Sequence, residues 1–360
     1  MDGIGVFTHN VLKILTQKHP EVSFHFVFDR EPHQKFLYNK NIEYTILPPK
    51  TRHPVLYYYW FEYLLPKVIK KVKPDLFLSP DGFLSLKSNC KQLAVIHDLN
   101  FEHFPEFLPP AYRFYYCKFF PQYAKKANRI ATVSEFSKQD LAELYGIDKN
   151  KIDVVYNGTD DSFRPLNADD IKNVRQKFSK GNPYFLFVGS IHPRKNLKNL
   201  FLAFNHFKKH SNSSVKLLIA GKTMWTKGLK EIYESLEVKD DITFLGRVNS
   251  KDLRLLTGAA LALTYVPFFE GFGIPVIDAM KCGVPVITSN CSSLPEISDG
   301  AALLANPNDV KDISKKMKSL LKDDDLRKNL IAKGLENVQR FTWEKTADLL
   351  WESIYKTINN

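Results

Sequence analysis

Cysteine is scarce in this chain of 360 residues: Cys90, Cys117, Cys282 and Cys291 are all there are, and none forms a C-x-x-C pair. That sparseness excludes a disulfide-stapled scaffold and a zinc site, and the four read as reduced, mostly buried thiols. Long hydrophobic runs are missing too. No stretch of about 18 apolar residues offers a membrane span, and the N-terminus lacks the basic and apolar regions of a signal peptide, so a cytoplasmic location is expected. Low-complexity tracts and solenoid repeats are absent. Acidic residues are in the minority, 39 Asp and Glu against 51 Lys and Arg, for a formal charge of +12. Such an excess suits nucleic acid, an anionic membrane or a phosphorylated small molecule, or is simply a Lys-rich surface.

What is present is ample material for two cores. The chain is 44% hydrophobic, and about 150 residues per domain predicts two lobes with a cleft between them. Apolar runs bounded by turn residues alternate with helical patterns, at 93–96, 129–133, 152–156 and 184–188, then at 215–220, 242–245, 261–265 and 285–288. This alternation predicts parallel α/β units in two doubly wound sheets. The polar, turn-rich run 157–165 reads as the crossing between them, with the boundary in 158–182. In the tail, Leu326, Leu330, Leu335, Val338 and Phe341, then Trp343, Leu349, Trp351 and Ile354, recur at helical spacing. Asp323-Asp324-Asp325 directly precedes that pattern and suits a helix cap and first turn better than a metal motif.

The most informative segment runs from Phe268 to Met280. It holds Glu270, Gly271, Phe272, Gly273, Ile274, Pro275 and Asp278 between a predicted strand and a short helix ended by Gly283. Glycines let backbone N–H groups approach a ligand, proline sets the helix start, and the helix N-terminus then suits a diphosphate. Asp278 falls about one turn into the helix, where a carboxylate can accept from two vicinal ribose hydroxyls. Glu270 faces the same space. Either acid alone would read as a solvated loop or helix charge; two acids eight residues apart around Gly-x-Gly-x-Pro are hard to obtain from packing. A second strand, turn and helix at 187–196 puts Gly189, Ser190, Arg194 and Lys195 at a strand end, where open α/β sheets bind ligands. The paired cations suit a departing nucleoside diphosphate, and Asn196 suits the N-cap of the helix from Leu197.

With these motifs the chain resembles retaining glycosyltransferases of the GT-B fold, family 4 or group 1, mannosyltransferase-like. The Glu270-x7-Asp278 pattern and Gly-Ser-Ile-His-Pro-Arg-Lys-Asn at 189–196 carry the resemblance, with Val-Ile-His-Asp-Leu at 95–99, Val-Ser-Glu-Phe-Ser-Lys at 133–138 and Val-Tyr-Asn-Gly-Thr-Asp at 155–160. It spans nearly the whole chain. It implies two Rossmann-like domains facing a cleft: residues 1–165 on the acceptor side, 166–340 binding the nucleotide-sugar, and a helix at 341–360 crossing back to the first domain. It implies that Glu270 contacts the donor sugar, Asp278 the ribose and Lys195 the diphosphate. By the same resemblance His97 faces the transferred sugar, although a lone histidine would otherwise read as structural, and Asp98 orients its loop. Gly3 and Gly5 correspond to the family's N-terminal glycine loop.

The chain departs from the family in two places: Asp278 stands where most members have Glu, and Ser190 where many have Arg, which makes Arg194 the compensating cation. No metal and no cofactor are expected, the nucleotide-sugar being a substrate. Retention without an enzymic nucleophile implies front-face departure and attack, with Lys195, Arg194 and the helix N-terminus stabilising the leaving group. GDP-mannose is the first expectation for the donor, and a saccharide or lipid-linked glycan of envelope polysaccharide for the acceptor. A nucleotide-sugar epimerase is the enzymatic alternative, a glycogen-type synthase or phosphorylase needs larger lobes, and a nucleic-acid module lacks any recognition motif. Aromatic segments at 57–61 and 113–116 run into lysines and suit either an aromatic core face or an anionic membrane surface, which would place the enzyme peripherally on the inner membrane face. Only Met1 and Asp2 precede Gly3-Ile4-Gly5, and 6–15 already reads as helix with Val11, Leu12 and Leu15 on one face. A central strand of the first sheet therefore looks absent, and an upstream start is expected.

Overall fold

A run such as Tyr-Phe-Leu-Phe-Val has no polar face, so it needs a sheet covered on both sides. In a computed structural model, which describes residues 3–222 and 227–359, this run is a strand whose first four residues are buried. Each fully buried Phe or Leu there contributes about 1.5–3 kcal/mol. The chain divides into two units, Met1–Gly158 with Thr342–Asn360, and Thr159–Phe341.

Among its described residues the first unit holds two parallel sheets. Strands β1 (Phe24–Phe28) and β2 (Ile42–Ile46) pair with each other; β3 (Phe77–Ser79), β4 (Gln92–Val95), β5 (Arg129–Thr132) and β6 (Ile152–Val154) form the second sheet in that order. Helix Gly3–Lys18 buries Phe7, Val11 and Leu15 at helical spacing. They share a core with Leu93, Val95 and Ala131 of the sheet and with Trp343, Leu350 and Ile354 of helix Trp343–Asn359. The tail stripe is thereby corrected by one position: Leu350 is buried, whereas Leu349 stays half-buried and Trp351 stacks on His19. Asp323 is the expected cap, its carboxylate accepting from Leu326 N–H at 2.8 Å. Of the cysteines only Cys282 is buried; Cys90, Cys117 and Cys291 are half-buried, and all four are free thiols.

Among its described residues the second unit has one parallel sheet of six strands: β7 (Tyr184–Val188), β8 (Lys216–Ala220), β9 (Ile242–Gly246), β10 (Ala262–Tyr265), β11 (Val286–Ser289) and β12 (Leu303–Ala305). Their spatial order is β12-β11-β10-β7-β8-β9. The chain lays β8 and β9 on one side of β7, then returns to lay β10, β11 and β12 on the other. That reversal places the switch point between β7 and β10, the position beyond whose strand ends open α/β sheets bind ligands.

Candidate active site

Both segments that carry the site residues are the turns at this switch point: 189–196 follows β7 and 266–273 follows β10. Their backbones are laced together. Phe268 N–H donates to Arg194 O at 2.9 Å. Asn196, at the N-cap position of helix Leu197–Lys209, has φ 60° and no side-chain cap bond. Its buried amide instead donates to Val266 O at 2.9 Å and Pro307 O at 2.7 Å. The expected capping role is corrected: those carbonyls take its donors. Gly221 is required at the end of β8, since a Cβ there would lie 1.8 Å from Gly189 O.

The segment after β11 is hydrogen-bonded to the acid loop. Ser289 Oγ donates to Pro267 O at 2.5 Å, Cys291 Sγ to Phe268 O at 3.4 Å, and Ser293 Oγ to Glu270 O at 2.8 Å. Ser292 Oγ accepts from Glu270 N–H at 3.1 Å. Sequence reasoning missed this run; its one signal was the density of hydroxyls in Ser-Asn-Cys-Ser-Ser directly after a buried strand. Gly273 then turns the chain at φ 100° into helix Ile274–Lys281.

Glu270 is 8% exposed, so the solvated-acid reading does not apply. Its Oε1 accepts from Arg194 Nη1 at 2.6 Å and from Lys195 Nζ. Lys195 also donates to the Tyr265 hydroxyl at 2.5 Å, and Arg194 to Phe269 O at 2.5 Å. Burial alone would raise the Glu270 pKa, but the two cations outweigh it and hold the acid below its usual range. One carboxylate thus carries two fixed positive charges at the ends of neighbouring strands. Tyr265, at the end of β10, was not foreseen; its signal was a hydroxyl on the last residue of a fully buried strand.

Asp278 is not part of that cluster. Half-buried on helix Ile274–Lys281, it accepts from Thr159 Oγ1 at 2.5 Å, and burial pushes it up to about 7. Phe272 is buried edge-to-face on Phe341, so its ring serves packing. Gly271 is buried, Ile274 half-buried and Ser190 exposed.

His97, Gly3 and Gly5 lie in the first unit. His97 follows β4, its Nε2–H donating to Pro80 O at 2.9 Å and its ring edge-on to Phe7. Gly3 and Gly5 occupy the first turn of helix Gly3–Lys18. The expected glycine loop is corrected: the Phe7, Val11 and Leu15 stripe carries the helix through them. Among the described residues no three of His, Cys, Asp and Glu gather as a metal-ligand set, and no helix is long and apolar enough to cross a membrane.

The family model for glycosyl transferases group 1 matches residues 169–337, and that for glycosyltransferase family 4 matches residues 1–163. The O-antigen chain mannosyltransferase B of Escherichia coli is 31% identical over 278 residues, 77% of this chain and 73% of that protein. This chain is a family 4, group 1 glycosyltransferase. The O-antigen chain mannosyltransferase RfbU of Salmonella typhimurium is likewise 31% identical, over 74% of this glycosyltransferase and 69% of that protein. Anabaena Alr3699/HepE, solved in complex with UDP and glucose, superposes with a TM-score of 0.77 at 16% identity, over 98% of this chain and 96% of that one. The lipopolysaccharide glycosyltransferase WaaG superposes at 0.71 with 15% identity, over 95% and 94%. The fold is therefore GT-B, and the enzyme a hexosyltransferase.

Proposed function

We propose that this glycosyltransferase moves mannose from GDP-mannose to a saccharide or lipid-linked acceptor in envelope polysaccharide synthesis, with retention of configuration and without a metal. The observation that carries the reading is the buried Glu270 carboxylate shared by Arg194 and Lys195 at the switch point. A diphosphate entering there meets two cations and the N-terminus of helix Ile274–Lys281, which together supply the positive charge a leaving group needs. Glu270 then faces the sugar and Asp278 the ribose. The leaving phosphate takes the acceptor proton on the same face. Mannose is supported by the two O-antigen mannosyltransferase relatives.

Melting the enzyme in EDTA with a panel of nucleotide-sugars tests this. GDP-mannose at about 100 times its Kd adds about 2.7 kcal/mol of stability and shifts the Tm upward more than UDP-, ADP- or dTDP-sugars do. A shift from another sugar nucleotide alone refutes the donor, and a shift that needs manganese or magnesium refutes metal independence.

Partner surfaces follow from the first unit. Tyr57 packs on Phe83, Tyr112 and Tyr115, whereas Val55, Tyr59, Tyr63 and Phe114 are exposed, Phe114 by 64%. Lys87 lies 3.5 Å over the Tyr63 ring, and Lys67, Lys70 and Lys71 are exposed on helix Leu65–Val72. Aromatic anchors among lysines suit an anionic leaflet, each cation near the surface adding about 1 kcal/mol, and hence a peripheral place on the cytoplasmic face. The enzyme should sediment with phosphatidylglycerol vesicles at low salt and release them at high salt. Equal binding to neutral phosphatidylcholine vesicles at any salt would contradict an electrostatic membrane contact.

A further inference from the structure

Thr159 has no role in the reading above. It is 4% exposed, its N–H donates to Phe341 O at 3.2 Å, and its hydroxyl donates to Asp278 Oδ1 at 2.5 Å. Among the described residues the Asp278 carboxylate has no other hydrogen-bond partner, its backbone carbonyl accepting from Cys282 N–H at 3.1 Å. The neighbouring charges are otherwise engaged: Asp160 accepts from Ser162 N–H at 2.8 Å, and Lys281 pairs with Asp161 at 2.5 Å. Asp278 also replaces the longer acid of the resembling family, so its carboxylate reaches one methylene less far and cannot correct its aim by bending a longer arm.

We propose that Thr159 is the positioning residue of the ribose acid: by holding Asp278 through Oδ1 it turns Oδ2 toward the nucleotide, and the pair does what a longer carboxylate does alone. The inference rests on the reading in which Asp278 takes the ribose. Its second consequence concerns charge. Burial and then Asp160 push Asp278 up, while the Thr159 hydroxyl and Lys281 pull it down; the Cys282 thiol beside it is itself pushed up to about 12 by burial. An ionised Asp278 accepts two ribose hydroxyls and a protonated one does not, so nucleotide affinity rises with pH as the proton leaves. Removing the hydroxyl removes a donor to the charged form and moves that rise to higher pH.

Calorimetric titration of GDP, UDP, ADP and dTDP from about pH 6 to about pH 8.5 into wild type, Thr159→Val, Thr159→Ser and Asp278→Asn tests it. Thr159→Val binds the preferred nucleotide about tenfold more weakly at pH 7 and its affinity midpoint moves up by about one unit, whereas Thr159→Ser restores both. Asp278→Asn is weak and flat with pH. A Thr159→Val protein with wild-type affinity and midpoint, beside a weakened Asp278→Asn, overturns the positioning role. Wild-type affinity in Asp278→Asn, or no nucleotide bound by wild type, overturns the ribose reading instead. Should valine prevent folding, Thr159→Ala replaces it: a loss that serine does not share supports the role, and no loss overturns it.

Discussion

Lys195→Ala is expected to lower sugar turnover by at least about a hundredfold while the protein still folds, because removing one preorganised charge donor costs about 3 kcal/mol of transition-state stabilisation. The fold should survive for a reason visible in the cluster. Glu270 keeps Arg194 at 2.6 Å, so its charge is not left buried and alone. Arg194 is tied to Phe269 O at 2.5 Å and cannot follow the leaving phosphate as a flexible ammonium can. The deficit therefore falls on kcat. Assaying kcat and melting temperature on one preparation checks this, and near-normal turnover in a stable Lys195→Ala protein would remove the leaving-group role.

The legible part of this fold was the part with one-sided or continuous apolar pattern. The run at 184–188 is β7 without adjustment, and the runs at 93–96, 129–133, 242–245 and 261–265 each fall within a residue or two of a strand. Strands β3 and β12 have three residues each, too short for any period to emerge. β1 and β2 are half-exposed and carry His25, Glu43 and Thr45 among their apolar residues, so their pattern resembles loop.

In the site, the acids and cations could be named because their chemistry is local to a motif. Their partnership could not. That Glu270 is shared by Arg194 and Lys195 depends on β7 and β10 becoming neighbours across some 75 residues of chain. Thr159 and Asp278 are 119 residues apart, and no spacing rule joins them. Asn196 shows the converse: local propensity favours a cap, and two buried carbonyls override it.

Glu270→Gln tests most directly whether Glu270 meets the sugar while the cations it neutralises meet the diphosphate. Glutamine keeps the shape and removes the charge. Glutamine takes away the negative charge that Arg194 and Lys195 share, and a diphosphate brings negative charge to them, so GDP affinity should be kept or strengthened. Transfer should fall by about a hundredfold or more, since a carboxylate beside a developing positive centre is then absent. GDP titration and GDP-mannose turnover are to be measured on the same preparation. Retained GDP affinity with turnover at or below about one per cent of wild type is expected; weakened GDP binding with turnover largely intact would contradict that division of roles.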